Sequence, residues 1–447
     1  MWSAALLVFV LEPPCYGFQQ SEQFEGQHVW VEYDQGALSV AEAAEVAAAA
    51  DHGWDVLESL GWPMPPGPIS VRVDLDVATG RGRCITLECE GVDVPLCEIY
   101  EQAFVQGYVG WTTPHEIGHA FQYALMGHHL QSQASWSWWM EGTATWMTAY
   151  FEDEINGWVA HSSAYLENPQ WTLQHSLIDL ISGPRGAHMY GTSVLAFFID
   201  EYYGGPDTIL GIWRWGAERS GEPIFFPDAI DGVGLDFDAF WPHYLATLSV
   251  LDLDVGGQME MIPAHTTLSS LPDRHTPPDA MLPEGLGVGI VHIPAELGVA
   301  GNDLHVVLEV DPAVKWHAVV ARTDGIAPGS QVLQRVTGVF DPDGRASFDL
   351  TEFDGTDHAF VVVSPETVSR IPRRYTISAA LVQSAPISGS SDSDSDSDGD
   401  GDADQTDERD GCGCRSHRTP PTLAVLLVLL SFARPRRGRL QRRRTRI

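Results

Sequence analysis

A chain of 447 residues with 61 acidic and 25 basic side chains carries a formal net charge of -36. That excess argues against a nucleic-acid or anionic-membrane binding surface and favours high solubility. The length allows two or three domains with sizeable cores.

Residues 1–11 form a short apolar run that looks like the core of a signal peptide without its basic start, so 1–19 reads as a signal segment. From His28 the pattern becomes that of a folded chain. His28–Tyr33 and Ile69–Leu75 alternate like strands and are expected to pair, while the alanine-rich stretch Val40–Leu60 between them reads as a helix ending at Gly61. Cys84, Cys89 and Cys97 lie in a Gly- and acid-rich stretch read as a loop. No His accompanies them, which speaks against a zinc knuckle, and one disulfide within the trio is expected in an exported protein without the pair being deducible. Ala103–Val109 reads as an edge strand that could bind an extended peptide by strand addition.

The next stretch carries the chemistry. In Trp111-Thr-Thr-Pro-His-Glu-Ile-Gly-His-Ala120, His115, Glu116 and His119 form H-E-x-x-H. On a helix, His115 and His119 project from one face one turn apart and can share a tetrahedral metal, most naturally Zn2+. Glu116 is then placed to take a proton from metal-activated water. Thr112 or Thr113 suits the helix cap and Pro114 its first turn. A third His on the continuation H-x-x-G-x-x-H is absent, because Gln122 and Leu125 occupy those positions. His128 and His129 fall out of phase and read as surface or supporting histidines. Glu141, in Trp138-Trp-Met-Glu-Gly-Thr-Ala-Thr145, follows His119 by 22 positions, which suffices for a loop and a returning helix. Glu152 and Glu154 are weaker substitutes, and a plain helix-start carboxylate is the alternative role for Glu141.

With this third ligand the region 28–250 resembles the gluzincin metallopeptidases, the clan of thermolysin and the zinc aminopeptidases. The resemblance implies His115, His119 and Glu141 as metal ligands and Glu116 as general base. It also implies a Tyr or His donor for the oxyanion, for which Tyr190 is the first choice and His188 the second. No Gly-x-Met-Glu-Asn run of the aminopeptidases is present, so an endopeptidase is expected.

Helices are expected at Pro114–Met126, Trp138–Asp153, His188–Tyr203, Thr208–Ala217 and Phe237–Ser249. The Pro-rich stretch 260–285 reads as a linker or a long packed loop. Six short alternating runs follow, Gly287–Ile293, Leu304–Val310, Trp316–Ala321, Ala346–Leu350, Ala359–Val363 and Tyr375–Leu381, as in a small antiparallel β-sandwich over 286–384. Residues 385–411, rich in Asp and Ser, read as a disordered linker rather than a calcium site, because no EF-hand loop with its terminal Glu is present. The end of the chain, 412–447, combines Cys412 and Cys414, an apolar run from Leu423 to Ala433 and an Arg cluster. This order resembles the myxobacterial C-terminal sorting signals termed MYXO-CTERM, which implies export and retention at the cell surface, with membrane contact only through that anchor.

The expected architecture is therefore α+β: a catalytic domain over 20–259 with a small sheet and a mostly helical lobe, then the sandwich. The expected function is zinc-dependent hydrolysis of peptide or protein substrates outside the cytoplasm. A non-catalytic surface adhesin on a degenerate peptidase fold, binding glycans or partners through its tryptophans, is the alternative.

Overall fold

The computed structural model describes residues 22–89, 92–127, 136–151, 157–174, 185–219, 222 and 224–384. The expectations for 1–19, 385–411 and 412–447, and for His128, His129, Glu152 and Glu154, lie outside the described residues. The architecture is α+β. Among the described residues no helix is long and apolar enough to cross a membrane.

The chain opens with β1 (Glu22–Glu25) and β2 (Val29–Tyr33), followed by α1 (Val40–Ser59) and β3 (Ile69–Asp74). Ser39 caps α1 in a reciprocal box with Glu42, whose backbone N–H donates to Ser39 Oγ at 3.2 Å. Ala43, Val46, Ala47, Ala50, Trp54 and Leu57 repeat at three- and four-residue spacing, and this buried face packs α1 against the sheet and the later α3. As the sequence predicts, β3 pairs with β2, and it does so in parallel.

The stretch read as a cysteine loop is instead a pair of antiparallel strands, β4 (Gly82–Cys89) and β5 (Val92–Tyr100). Cys84 lies directly opposite Cys97 and is bonded to it. The sheet order β1-β2-β3-β5-β4 leaves β4 at an edge. Ala103–Val109 is not a strand. It spans the end of the short helix α2 (Glu101–Val105) and a turn at Gly107, whose φ of 73° is a left-handed conformation that a strand does not contain, and it ends where the next helix begins.

The helix α3 (Val109–Met126) then runs through the middle of the domain, buried on nearly all sides. It starts earlier than its threonines suggest. The Tyr108 carbonyl opens the first turn by accepting from Trp111 and Thr112, so Pro114 falls inside the helix. The missing proline N–H costs about 3 kcal/mol in a helix interior. Burial of Trp111, Thr112 and Thr113 in the surrounding core outweighs the propensity signal.

The helical lobe continues with α4 (Ser137–Met147), α5 (Gly157–Glu167), α6 (Arg185–Gly191), α7 (Ser193–Tyr202), α8 (Pro206–Ala217), α9 (Phe226–Gly232) and α10 (Phe237–Val250). Trp136, Trp138, Trp139, Trp146, Trp213 and Phe226 are fully buried and wedge α4 into this lobe. Gly118 on α3 allows the two helices to approach, since a Cβ there would stand 3.0 Å from Met147 Sδ.

The stretch 260–285 contributes β6 (Thr266–Thr267) and β7 (Asp273–His275), which join the sheets that follow. The remaining strands are β8 (Gly289–Ile293), β9 (Asn302–Val310), β10 (Lys315–Thr323), β11 (Val332–Thr337), β12 (Arg345–Leu350), β13 (His358–Glu366) and β14 (Tyr375–Gln383). They form two sheets of order β11-β10-β13-β8-β6 and β12-β9-β14-β7, antiparallel throughout except for β6 beside β8. The first sheet is buried on both faces. Val319, Ala321, Phe360 and Val362 belong to the core of the helical lobe, while Ala318, Val320, Val361 and Val363 face the second sheet. That arrangement accounts for the unbroken apolar runs in β10 and β13 and the plain alternation in β9 and β12. Arg185, at the start of α6, makes a bidentate pair with Glu284 at 2.8 and 2.7 Å and so ties the lobe to the segment leading into β8.

Candidate metal centre

The structure brings His115, His119 and Glu141 together, with their ligand atoms all within 4.8 Å of one another and all three side chains buried. Helix α3 supplies both imidazoles from one face, with ring centroids 4.7 Å apart, and α4 returns antiparallel to supply the carboxylate. His115 Nε2 and His119 Nε2 each lie 3.3 Å from the same Glu141 Oε2. A charge-assisted N–H···O bond closes to about 2.8 Å. By contrast, the ligand–ligand edge of a tetrahedron with metal bonds near 2.05 Å is about 3.3 Å. The three donors therefore sit at metal-coordinating separation, and two imidazoles with one carboxylate leave a fourth position open.

His119 is held in the tautomer this requires. Its Nδ1–H donates to Gln122 Oε1 at 2.8 Å, which leaves Nε2 for the metal. Gln122 is fully buried and is itself fixed by donating to Met140 O and Thr143 Oγ1, both at 3.0 Å. Thr143 in turn donates to Trp139 O at 2.7 Å and accepts from Trp213 Nε1 at 3.3 Å. This chain of bonds joins α3 and α4 directly beside the ligands. Among the described residues His115 has no such partner at Nδ1, and the Trp111 ring stacks on it at 5.0 Å. Replacing Gln122 with Leu is expected to weaken binding of a divalent metal about 10- to 100-fold, by analogy with other groups that orient metal ligands. Competition against a chelating dye measures this, and unchanged affinity would refute the orienting role.

Glu116 points to the other side, toward the edge strand. A Cβ on Gly82 would lie 2.8 Å from Glu116 Oε1, so β4 passes the carboxylate at a distance that only glycine permits. Glu116 Oε2 is buried with no hydrogen-bond partner among the described residues. Burial raises its pKa to about 8, with Glu141 and Glu98 adding to the rise and His119 opposing it. Glu98 is neutralised by Arg83, directly opposite on β4, and accepts from Tyr100 Oη at 2.9 Å.

Burial lowers the His115 pKa and pulls on His119 in the same sense, but Glu141, Glu116 and Gln122 outweigh it at His119 and hold that imidazolium up to about 9. Burial alone would raise Glu141, yet the two histidines keep it well below the usual carboxylate range. The metal-free centre at pH 7 thus holds a proton on His119 and another on Glu116. A bound dication expels the first and draws the second down. Binding of a divalent metal at pH 7 is expected to release about one to two protons, so affinity rises with pH and levels off above about 9. Calorimetry in buffers of different ionisation heat reads the number directly, and affinity independent of pH between 6 and 8 would contradict it.

Tyr190, on α6, tilts over His115 with ring centroids 5.8 Å apart. Desolvation, then the charges of Glu141 and Glu116, raise its hydroxyl well above the ordinary tyrosine range, so it remains a proton-bearing donor. His188 does not reach the centre. It donates from Nε2 to Asn168 O at 3.1 Å and packs against Tyr165 and Trp171. A residue the sequence reading omitted stands in its place. His161, on α5, stacks on Trp111 at 4.9 Å and faces Tyr190 at 5.0 Å. Burial first, then the charges of His115 and Arg81, lower it to about 4, so it is a neutral imidazole at pH 7.

Asp238, His317 and Glu366 form a second group of potential ligands, between α10 and the sandwich. The Lys315 ammonium already occupies it, 2.7 Å from Asp238 and 3.0 Å from Glu366, and offsets part of its negative charge. No protein-family model matches the chain, and no curated protein matches it either.

Proposed function

We propose that this chain is an exported, zinc-dependent metallopeptidase of gluzincin type, acting as an endopeptidase. The observation that carries the reading is the convergence of both Nε2 atoms on one Glu141 oxygen at 3.3 Å. The donor set is that of a catalytic zinc site, with three protein ligands and one position left open. When bound there, zinc lowers the pKa of water and polarises a peptide carbonyl.

The protein residues divide the remaining work. His115, His119 and Glu141 hold the ion, and Gln122 keeps His119 aimed. Glu116, whose carboxyl a bound dication would return to the ionised form, accepts the proton lost by the attacking water and returns it to the leaving amine. Tyr190 and His161 lie on one side of His115 and supply neutral donors for the oxyanion that develops on the carbonyl. β4, the edge strand beside Glu116, takes an extended peptide by strand addition in this reading. This assigns to β4 the substrate-binding edge first expected at Ala103–Val109. The Cys84–Cys97 bond supports an oxidising location outside the cytoplasm. The adhesin alternative has less support, since most of the described tryptophans are buried and Trp30, Trp171 and Trp215 only half-buried. Zinc analysis of the purified full chain combined with casein cleavage tests the reading. Metal-free protein, or zinc-loaded protein that cleaves no peptide, would refute it.

A further inference from the structure

Residue 81 immediately precedes Gly82, whose backbone passes the Glu116 carboxylate. The Arg81 carbonyl accepts from Tyr100 N at 2.8 Å, which fixes its backbone at the end of β5. Its guanidinium lies 4.0 Å from the centroid of the Tyr108 ring, at the cap of α3. Nε donates to Gln106 Oε1 at 3.0 Å, and Gln102 completes the hold by bonding Ala78 O at 2.7 Å. The fork is thus oriented from one side only. Its two terminal nitrogens have no hydrogen-bond partner, and Arg81 has no carboxylate partner, among the described residues. Its neighbour Arg83 is neutralised by Glu98.

We propose that Arg81 is a subsite for a substrate carboxylate, and that the preferred peptides carry Asp or Glu close to the scissile bond. The inference rests on the peptidase reading and adds the substrate class. Tyr108 stands seven residues before His115 on α3, roughly 10 Å along the helix axis. An extended substrate advances about 3.3 Å per residue, so the acidic residue falls within about three positions of the cleaved bond. The free guanidinium fork matches a carboxylate in two parallel hydrogen bonds. The residue that follows Arg81, Gly82, lies beside the Glu116 carboxylate, which brings the arginine's backbone to the edge of the same centre. The overall negative charge does not prevent this recognition, because exposed charges beyond about 8 Å are screened at physiological salt.

The test uses the full-length zinc-loaded protein and pairs of fluorescein-labelled hexapeptides that differ only as Asp against Asn at one position. Binding to the Glu116→Gln variant is read by anisotropy, and cleavage by the wild type is read by mass spectrometry. The expected result is at least tenfold tighter binding of the Asp peptide at one position. Arg81→Ala should lose that discrimination, and Arg81→Glu should turn it toward a Lys peptide, with zinc content retained in both. Equal binding of the Asp and Asn peptides at every position, or discrimination that survives Arg81→Ala, would overturn the proposal. Cleavage without discrimination would refute the subsite and leave the peptidase reading standing. Arg81-dependent discrimination without cleavage would do the reverse.

Discussion

Glu116→Gln is expected to lower peptide hydrolysis by about 10²- to 10⁴-fold, the usual contribution of a positioned general base. Zinc content should be unchanged, because Glu116 is not among the three converging ligands. Glutamine preserves the volume beside Gly82, where no extra atom fits, so the fold should tolerate the change. Thermal denaturation and metal analysis separate the chemical effect from a structural one. Loss of activity accompanied by loss of zinc would assign Glu116 a ligand's role instead. Full activity would remove it from the reaction.

The second large effect concerns Glu141. A four-ligand zinc site contributes about 10–16 kcal/mol, roughly 3 kcal/mol per ligand. Glu141→Gln removes the anion both imidazoles face and is expected to weaken zinc binding by at least 10²-fold, on the same per-ligand scale. The metal-free protein should suffer as well. The folded pKa of Glu141 is depressed by His119 and His115 against the opposing effect of burial, so its ionised form stabilises the fold above the unfolded value of 4.5. That contribution is lost as pH falls through the folded value, and the variant should lack it at neutral pH. Urea denaturation of the metal-free wild type and variant at pH 7 measures the difference. Zinc affinity equal to wild type would exclude Glu141 as a ligand.

The parts of the site legible in the sequence are those encoded locally. His115, Glu116 and His119 are tied by helical spacing alone, and Glu141 by the number of residues a returning helix needs. Gln122 was visible only as a failure of another pattern, yet the structure makes it the residue that orients His119. Its partners, Met140 and Thr143, lie on α4, and only helix pairing reveals them. His161 was missed because α5 carries a weak apolar periodicity and its relation to Trp111 and Tyr190 is purely tertiary. His188 was the nearer histidine in sequence, but it faces the loop at Asn168.

The fold divides along similar lines. The capped helix α1 and the parallel pair β2 and β3 follow from alternation and a capping box. β4 and β5 were hidden because Gly, Cys and acidic residues suggest a loop, whereas a cross-strand cysteine bond and the Arg83–Glu98 pair hold them as strands. Ala103–Val109 looked like a strand, but Gly107 turns the chain and β4 already forms the edge. β11, with alternating half-buried and exposed residues, lies at the sheet margin and gave too weak an apolar signal to be read.

The central claim is that His115, His119 and Glu141 together hold one zinc ion. Diffraction from zinc-loaded crystals of the protein, collected on both sides of the zinc absorption edge, tests it most directly. The account predicts one strong anomalous peak about 2.0–2.2 Å from His115 Nε2, His119 Nε2 and a Glu141 oxygen. Fully zinc-exchanged crystals with no peak among these three side chains would contradict it.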